Sequence, residues 1–380
     1  MAGVYTETPD GQISDLRNPP LHAAKLSSAR VSPGSGTAQR PQGRDQALDV
    51  AKGFGIVLVV LGHCLDGLVA SNYFPANVLW PQLTIYAIYL FHMPLFFVVS
   101  GFLASGKHRP AGKTLAKLLP TIVWPYILWS AVQNATMVYL SRYTTSKITF
   151  AQLLKIGWVP IVPYWFLYAL FFCQAFYLLT RRRSAMMQLA IATVLFVASL
   201  MLHPQIFRLN LLIVEQVTHG FLFFTLGVVA VAQIKELGRW AAVVATLLFA
   251  ALAVVYYQAQ LNGPLAAGVL MVPVSAAGIV ATLGWSRDLA DARGAAIGRV
   301  TSVLAFFGRY SMSIYVMHIF FTAGVRIVLK RYAAHPTTLV TVTELVAATV
   351  VGTLAPLAIN WVVSKIGVDK WLGLQHMETA

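Results

Sequence analysis

Residues Ala47–Asp66 read ALDVAKGFGIVLVVLGHCLD, a polar opening followed by an apolar run with one histidine, His63, inside it. A bilayer core is about 30 Å thick, so a crossing helix needs roughly 20 mostly apolar residues. An ionisable group at that depth is costly unless it is paired or faces a polar cavity. His63 therefore requires an explanation, and catalysis is one. The other is a buried histidine hydrogen-bonded to a neighbouring helix.

The same kind of run recurs along the chain. Of 380 residues, 58% are hydrophobic and only 11% charged, against roughly 25% charged in soluble domains. The expected fold is an all-α polytopic membrane protein with about ten transmembrane helices, near 48–68, 80–104, 116–139, 161–180, 185–203, 211–232, 240–258, 264–284, 301–325 and 341–363. Basic residues follow alternate spans: Lys107, Arg109, Lys113 and Lys117; Arg181, Arg182 and Arg183; Lys235 and Arg239; Arg287, Arg293 and Arg299; Lys365 and Lys370. With Arg40, Arg44 and Lys52 before or at the first span, both termini are expected to be cytoplasmic. The net charge of +15 then reflects loop bias, and no nucleic-acid partner is expected. Arg142, Lys147, Lys155, Lys330 and Arg331 fall on the other side. They read either as recognition of an anionic acceptor or as interfacial residues reaching lipid headgroups.

Residues 1–46, rich in Pro, Gly, Ser, Thr and Arg, are expected to be a disordered cytoplasmic tail. No apolar segment opens near Met1, so the first span is expected to serve as the targeting signal. The membrane domain runs over 47–363, and 364–380 is expected to be a short cytoplasmic tail. Cys64 and Cys173 both lie in apolar runs, which argues against a disulfide scaffold or a cysteine metal site.

The candidate chemistry centres on Asp49, Lys52 and His63. Asp49 and Lys52 are three residues apart and share a helical face. His63 is eleven residues past Lys52, close to three turns or about 16 Å, so both lie on one stripe running to mid-membrane. A neutral imidazole is suited to take a proton from a hydroxyl. Asp66, three residues on, reads as an outer-surface residue. In the second span, FHMPLFFVVSGFLASGK (Phe91–Lys107) carries Pro94, which should kink the helix. Ser100 and Gly101 permit close packing. His92 reads as a partner of the acceptor or of His63, or as a structural residue. Glu215, beside His219, is a second membrane-embedded charge or a water-exposed helix start.

LDVAKG, then His63, then FHMPLFFVVSGFL together resemble the membrane acyltransferase-3 family, multispanning O-acyltransferases that modify carbohydrates, and within it the fucose 4-O-acetylase-like branch. The family opens on an Arg, ten residues and an essential His. Here the spacing stands but Lys52 replaces the Arg, keeping the charge and losing the planar fork. PYWFLYAL (Pro163–Leu170), containing Trp165, and FGRYSMSIYVMHIF (Phe307–Phe320), containing His318, resemble two later motifs. An interfacial aromatic belt explains part of Tyr164–Trp165 without catalysis. His318 reads as a substrate contact or as an interhelical hydrogen bond.

The resemblance implies transfer of an acyl group, typically acetyl, from acyl-CoA to a hydroxyl of a carbohydrate or glycolipid acceptor in the cell envelope, within the inner membrane and without a metal. His63 would be the general base, with Asp49 and Lys52 beside it. Lys52, Lys107, Arg109 and Arg181 are candidates for the CoA phosphates, and the positive-inside bias is the plainer account of each. His92, Ser100, Trp165, Glu215 and His318 are candidate substrate-contacting or structural residues. A membrane transporter is the alternative function, since it too places histidine and Glu215 at depth. It often shows paired repeats, and the two halves of this chain show none.

Overall fold

The computed structural model describes residues 45–75, 77–106, 110–139, 160, 163–201, 212–332 and 337–374. Among them all regular structure is helical: α1 Gln46–Ala70, α2 Trp80–Ser105, α3 Ala111–Leu118, α4 Trp124–Tyr139, α5 Trp165–Thr180, α6 Ala185–Met201, α7 Leu212–Val229, α8 Val231–Glu236, α9 Arg239–Asn262, α10 Pro264–Asp291, α11 Ala295–Arg309, α12 Ser311–Tyr332 and α13 Thr338–Lys365. A π-helical turn at Leu119–Val123 joins α3 to α4. The expected tail over 1–46 lies almost wholly outside the described residues, as do Lys107, Arg109, Arg142, Lys147, Lys155 and the last residues of the chain.

Among the described residues seven stretches are long and apolar enough to cross a bilayer: α1, α2, the joined α3–α4, α9, α10, α12 and α13. The fourth, fifth and sixth expected spans coincide with shorter apolar helices, Trp165–Thr180, Ala185–Met201 and Ile213–Val229. The protein is a multi-pass membrane protein. Its outer faces carry bare apolar side chains, among them Trp240, 81% exposed, and Leu247 and Val254 on α9; lipid covers such a surface in a bilayer.

The expected ninth span, 301–325, is two helices. The first ends at Tyr310, whose N–H still bonds to Phe306 O, and the crossing helix begins at Ser311. No proline marks the break, so hydropathy runs through it. Lys330 and Arg331, expected in a loop, form the last turn of α12.

Helix α1 organises the bundle. Asp45 caps its start, accepting from Ala47 N at 3.0 Å, and pairs with Arg287 of α10 at 2.9 Å. Gly53 and Gly308 then let α1 and α11 touch backbone to backbone. A Cβ on Gly308 would sit 1.8 Å from Asp49 O, and one on Gly53 would sit 1.8 Å from Leu304 O. Gly101 of α2 and Gly227 of α7 make a second crossing of this kind, with Cβ positions 1.9 and 2.0 Å from opposing carbonyl oxygens. Gly55 faces Leu95 and Phe96, while Gly62 faces Ile88 and Tyr89, so α2 runs antiparallel to α1. Helix α12 runs parallel to α1, and α13 returns antiparallel, placing Asn360 against Ser313.

Pro94 lies inside an unbroken α2. Proline has no N–H for the carbonyl four residues back, here that of Leu90, and the Ser275 hydroxyl of α10 donates to that oxygen instead. The end of α13 turns back on the bundle. The indole N–H groups of Trp124 and Trp129 donate to the carbonyls of Trp371 at 2.7 Å and Leu372 at 3.0 Å.

Gly308→Ala should force α1 and α11 apart and cost about 1–3 kcal/mol or more. Gly298→Ala on the same helix, where a Cβ meets nothing within 4 Å, should be neutral or stabilising by up to about 1 kcal/mol. Thermal unfolding of the two variants in detergent reads the difference.

Candidate active site

His63 lies two turns before the C-terminal end of α1, half-buried, on the face turned towards α2 and α12. Its ring centroid is 5.2 Å from that of His318 and 6.3 Å from that of Tyr89; Tyr89 in turn lies 5.1 Å from His92. Three histidines from three helices thus share one neighbourhood.

The two outer histidines have their protons fixed by the backbone. His318 is wholly buried, and its Nδ1 donates to Tyr315 O at 2.8 Å and Ile314 O at 3.2 Å. Carbonyl oxygens only accept, so Nδ1 carries the hydrogen and Nε2 of the neutral ring is an acceptor. That Nε2 is buried and has no hydrogen-bond partner among the described residues. His92 repeats the pattern, Nδ1 donating to Ile88 O at 2.8 Å. His63 differs: among the described residues its ring has no such backbone bond, and it keeps partial exposure. Among the described residues no group of His, Cys, Asp and Glu is placed to hold a metal ion.

The segment containing Trp165 is locked to the helix containing His318. Tyr164 is fully buried and donates from its hydroxyl to Val316 O at 2.8 Å. Tyr315 donates to Pro163 O, and its oxygen also meets the Phe166 N–H at the start of α5. Tyr164 is therefore a core strut, where the sequence suggested an interfacial belt. Trp165 is half-buried, 6.4 Å from the Phe97 ring.

Asp49 and Lys52 meet in an ion pair of 2.7 Å, with Asp49 only 4% exposed. The pair sits at the N-terminal end of α1, about three turns from His63. Arg181 ends α5. Contacts of Tyr177 with Phe224, and of Phe224 with Gly101, place that end of α5 beside the end of α2 that packs near the start of α1. Lys52 and Arg181 therefore share one end of the bundle. Ser100 is half-buried two turns past His92, and Glu215 is half-buried in the first turn of α7; no described contact joins either to His63.

Sequence reasoning passed over Tyr89, three residues before His92 on the same face, and over Arg326 and Glu344. Glu344 lies in an apolar run and was a legible signal; Arg326 fell one residue beyond the expected span.

The sequence profile of a family described as an acyltransferase domain matches residues 45–361. Two relatives are nodulation proteins NolL. That of Sinorhizobium fredii is 32% identical over 200 residues, which cover 51% of this chain and 50% of the relative. That of Mesorhizobium japonicum is 33% identical over 135 residues, 34% of each. The chain thus spans half or less of the length of these relatives. No solved structure matches it.

Tyr315→Phe would strand the Pro163 carbonyl and the Phe166 N–H. A loss of about 1–3 kcal/mol is expected, measurable as a lowered unfolding midpoint in detergent, with helix content unchanged by circular dichroism.

Proposed function

The chain belongs to the acyltransferase domain family, and from that premise we propose that it moves an acyl group, acetyl first among them, from acyl-CoA to a hydroxyl of a carbohydrate acceptor, with His63 as general base. The observation that carries this reading is the contrast within the histidine cluster. His92 and His318 have Nδ1 tied to backbone carbonyls, whereas His63 is the half-buried member of the three and its ring has no such bond among the described residues. A base must reach its proton within hydrogen-bond distance, and His63 is the member whose ring is not committed to a backbone carbonyl.

In this mechanism His63 takes the acceptor hydroxyl proton as the oxygen attacks the thioester carbonyl. Collapse of the tetrahedral intermediate breaks the carbon–sulfur bond, and the CoA thiolate recovers the proton from the imidazolium. The lone pair on His318 Nε2 steadies the imidazolium, and Tyr89 and His92 bound the other side. Lys52, held by Asp49, and Arg181 meet the CoA phosphates at their shared end of the bundle, with Lys107 and Arg109 as further candidates. That end is cytoplasmic in this reading, with ten crossings in an inner membrane and both termini inside. Ser100 and Trp165 serve packing, and Glu215 lies apart from the chemistry. Family membership weighs against a transporter.

The test is transfer from labelled acetyl-CoA to a panel of glycosides by purified protein in nanodiscs. His63→Ala should lower kcat by at least the 10²–10⁴-fold typical of a lost general base while keeping the wild-type unfolding midpoint; unchanged turnover refutes the role. Lys52→Ala should raise the KM for acetyl-CoA more than it lowers kcat. His318→Phe should lower kcat with little change in either KM.

A further inference from the structure

Resting on the acyl-transfer reading, we propose that Arg326, Glu344 and Tyr73 form a subsite for a neutral saccharide at the end of the bundle opposite Lys52, one turn beyond His63. Gly67 is four residues after His63, so it lies on the same face of α1, roughly 6 Å further along. A Cβ on Gly67 would fall 2.2–2.6 Å from the guanidinium atoms of Arg326. The guanidinium therefore occupies the space left by the missing side chain, directly past the histidine. On α12 itself Arg326 follows His318 by eight residues, about two turns. Two helices independently place it on the His63 side.

Across from it stands Glu344 of α13, 1% exposed. Its Oε1 is 3.9 Å from Arg326 Nε, an ionic distance but too long for a hydrogen bond. Its Oε2 is buried and has no hydrogen-bond partner among the described residues. Tyr73, between α1 and α2, directs its hydroxyl to the same carboxylate, and the Lys330 ammonium lies 5.7 Å from the Tyr73 ring centroid.

A buried carboxylate with an unfilled oxygen is costly. Here it faces a guanidinium that balances its charge without satisfying its hydrogen-bonding capacity. A sugar hydroxyl satisfies such a pair from both sides, donating to the carboxylate and accepting from the guanidinium. At the contact itself one guanidinium faces one carboxylate, whose bare oxygen would repel an anion. That balance suits a neutral saccharide better than a phosphate or a uronate. Tyr73 is itself only 8% exposed, with Lys330 over its ring, so it closes one side of the subsite. A sugar held there presents a hydroxyl to His63 from the side opposite the acyl-CoA end.

The probes are methyl α-L-fucopyranoside and methyl α-D-glucopyranoside as neutral pyranosides, and methyl α-D-glucuronide as the anionic comparator. Saturation-transfer NMR with His63→Ala protein in nanodiscs reads binding without turnover. A neutral glycoside should show transfer that is lost in the His63→Ala/Glu344→Ala and His63→Ala/Arg326→Met proteins. In the turnover assay Glu344→Ala and Arg326→Met should raise the glycoside KM about tenfold or more and leave the acetyl-CoA KM within about twofold. Glu344→Gln, which keeps an acceptor oxygen, should recover part of the loss. Gly67→Ala, which evicts the guanidinium, should behave like Arg326→Met.

Four results overturn the proposal: a lowered unfolding midpoint with glycoside binding intact, which makes the pair structural only; a shift in acetyl-CoA KM alone; tighter binding of the glucuronide; or no glycoside signal in the His63→Ala protein. Glycoside binding without any acetyl transfer by the wild type would instead sink the transfer reading and leave the subsite standing.

Discussion

Where Gly53 meets Gly308, no side chain separates two helices, and the position of everything along α1 follows from that contact. Backbone touching backbone fixes both the spacing and the rotation of α1, because a turned helix would bring Phe54 or Lys52 into the seam. With rotation fixed, Gly55 and Gly62 face α2, while His63 and Gly67 face α12. Small residues are the usual means of close approach in membranes, where packing must replace the hydrophobic drive between helices. In this chain the same device sets the direction in which the His63 imidazole points.

A second constraint is the cost of unsatisfied backbone groups away from water. The carbonyl freed by Pro94 finds Ser275, and Tyr315 serves a carbonyl and an N–H at the start of α5. These repairs join helices distant in sequence, so irregular backbone becomes crosslinking. The hydrogen bonds that tie down His92 and His318 belong to the same economy. Each ring spends its donor on its own helix and turns an acceptor outward.

How much of this the chain revealed before folding depended on whether the signal was local. The run over α1, its histidine and the helical class follow from hydropathy and length alone, and the Asp49–Lys52 bridge follows from spacing. The break at Tyr310 did not, since it comes from how α11 leaves its seam with α1, with no proline or change of hydropathy to announce it. Tyr164 looked interfacial because aromatic residues favour that layer; only the approach of α12 makes it a buried strut. Arg326 and Glu344 are single charges at the edges of apolar runs, and their meeting depends on α12 and α13 being neighbours, which no periodicity encodes.

The indoles of Trp124 and Trp129 wait on carbonyls 247 and 243 residues further along the chain. Threading of helices into the bilayer can proceed in order as each emerges, but α4 gains these partners only after residue 372 has been made. Contacts of such separation form late and slowly. The far end of the chain is thus a latch on α4, and truncation just short of Trp371 would leave both indoles without these partners.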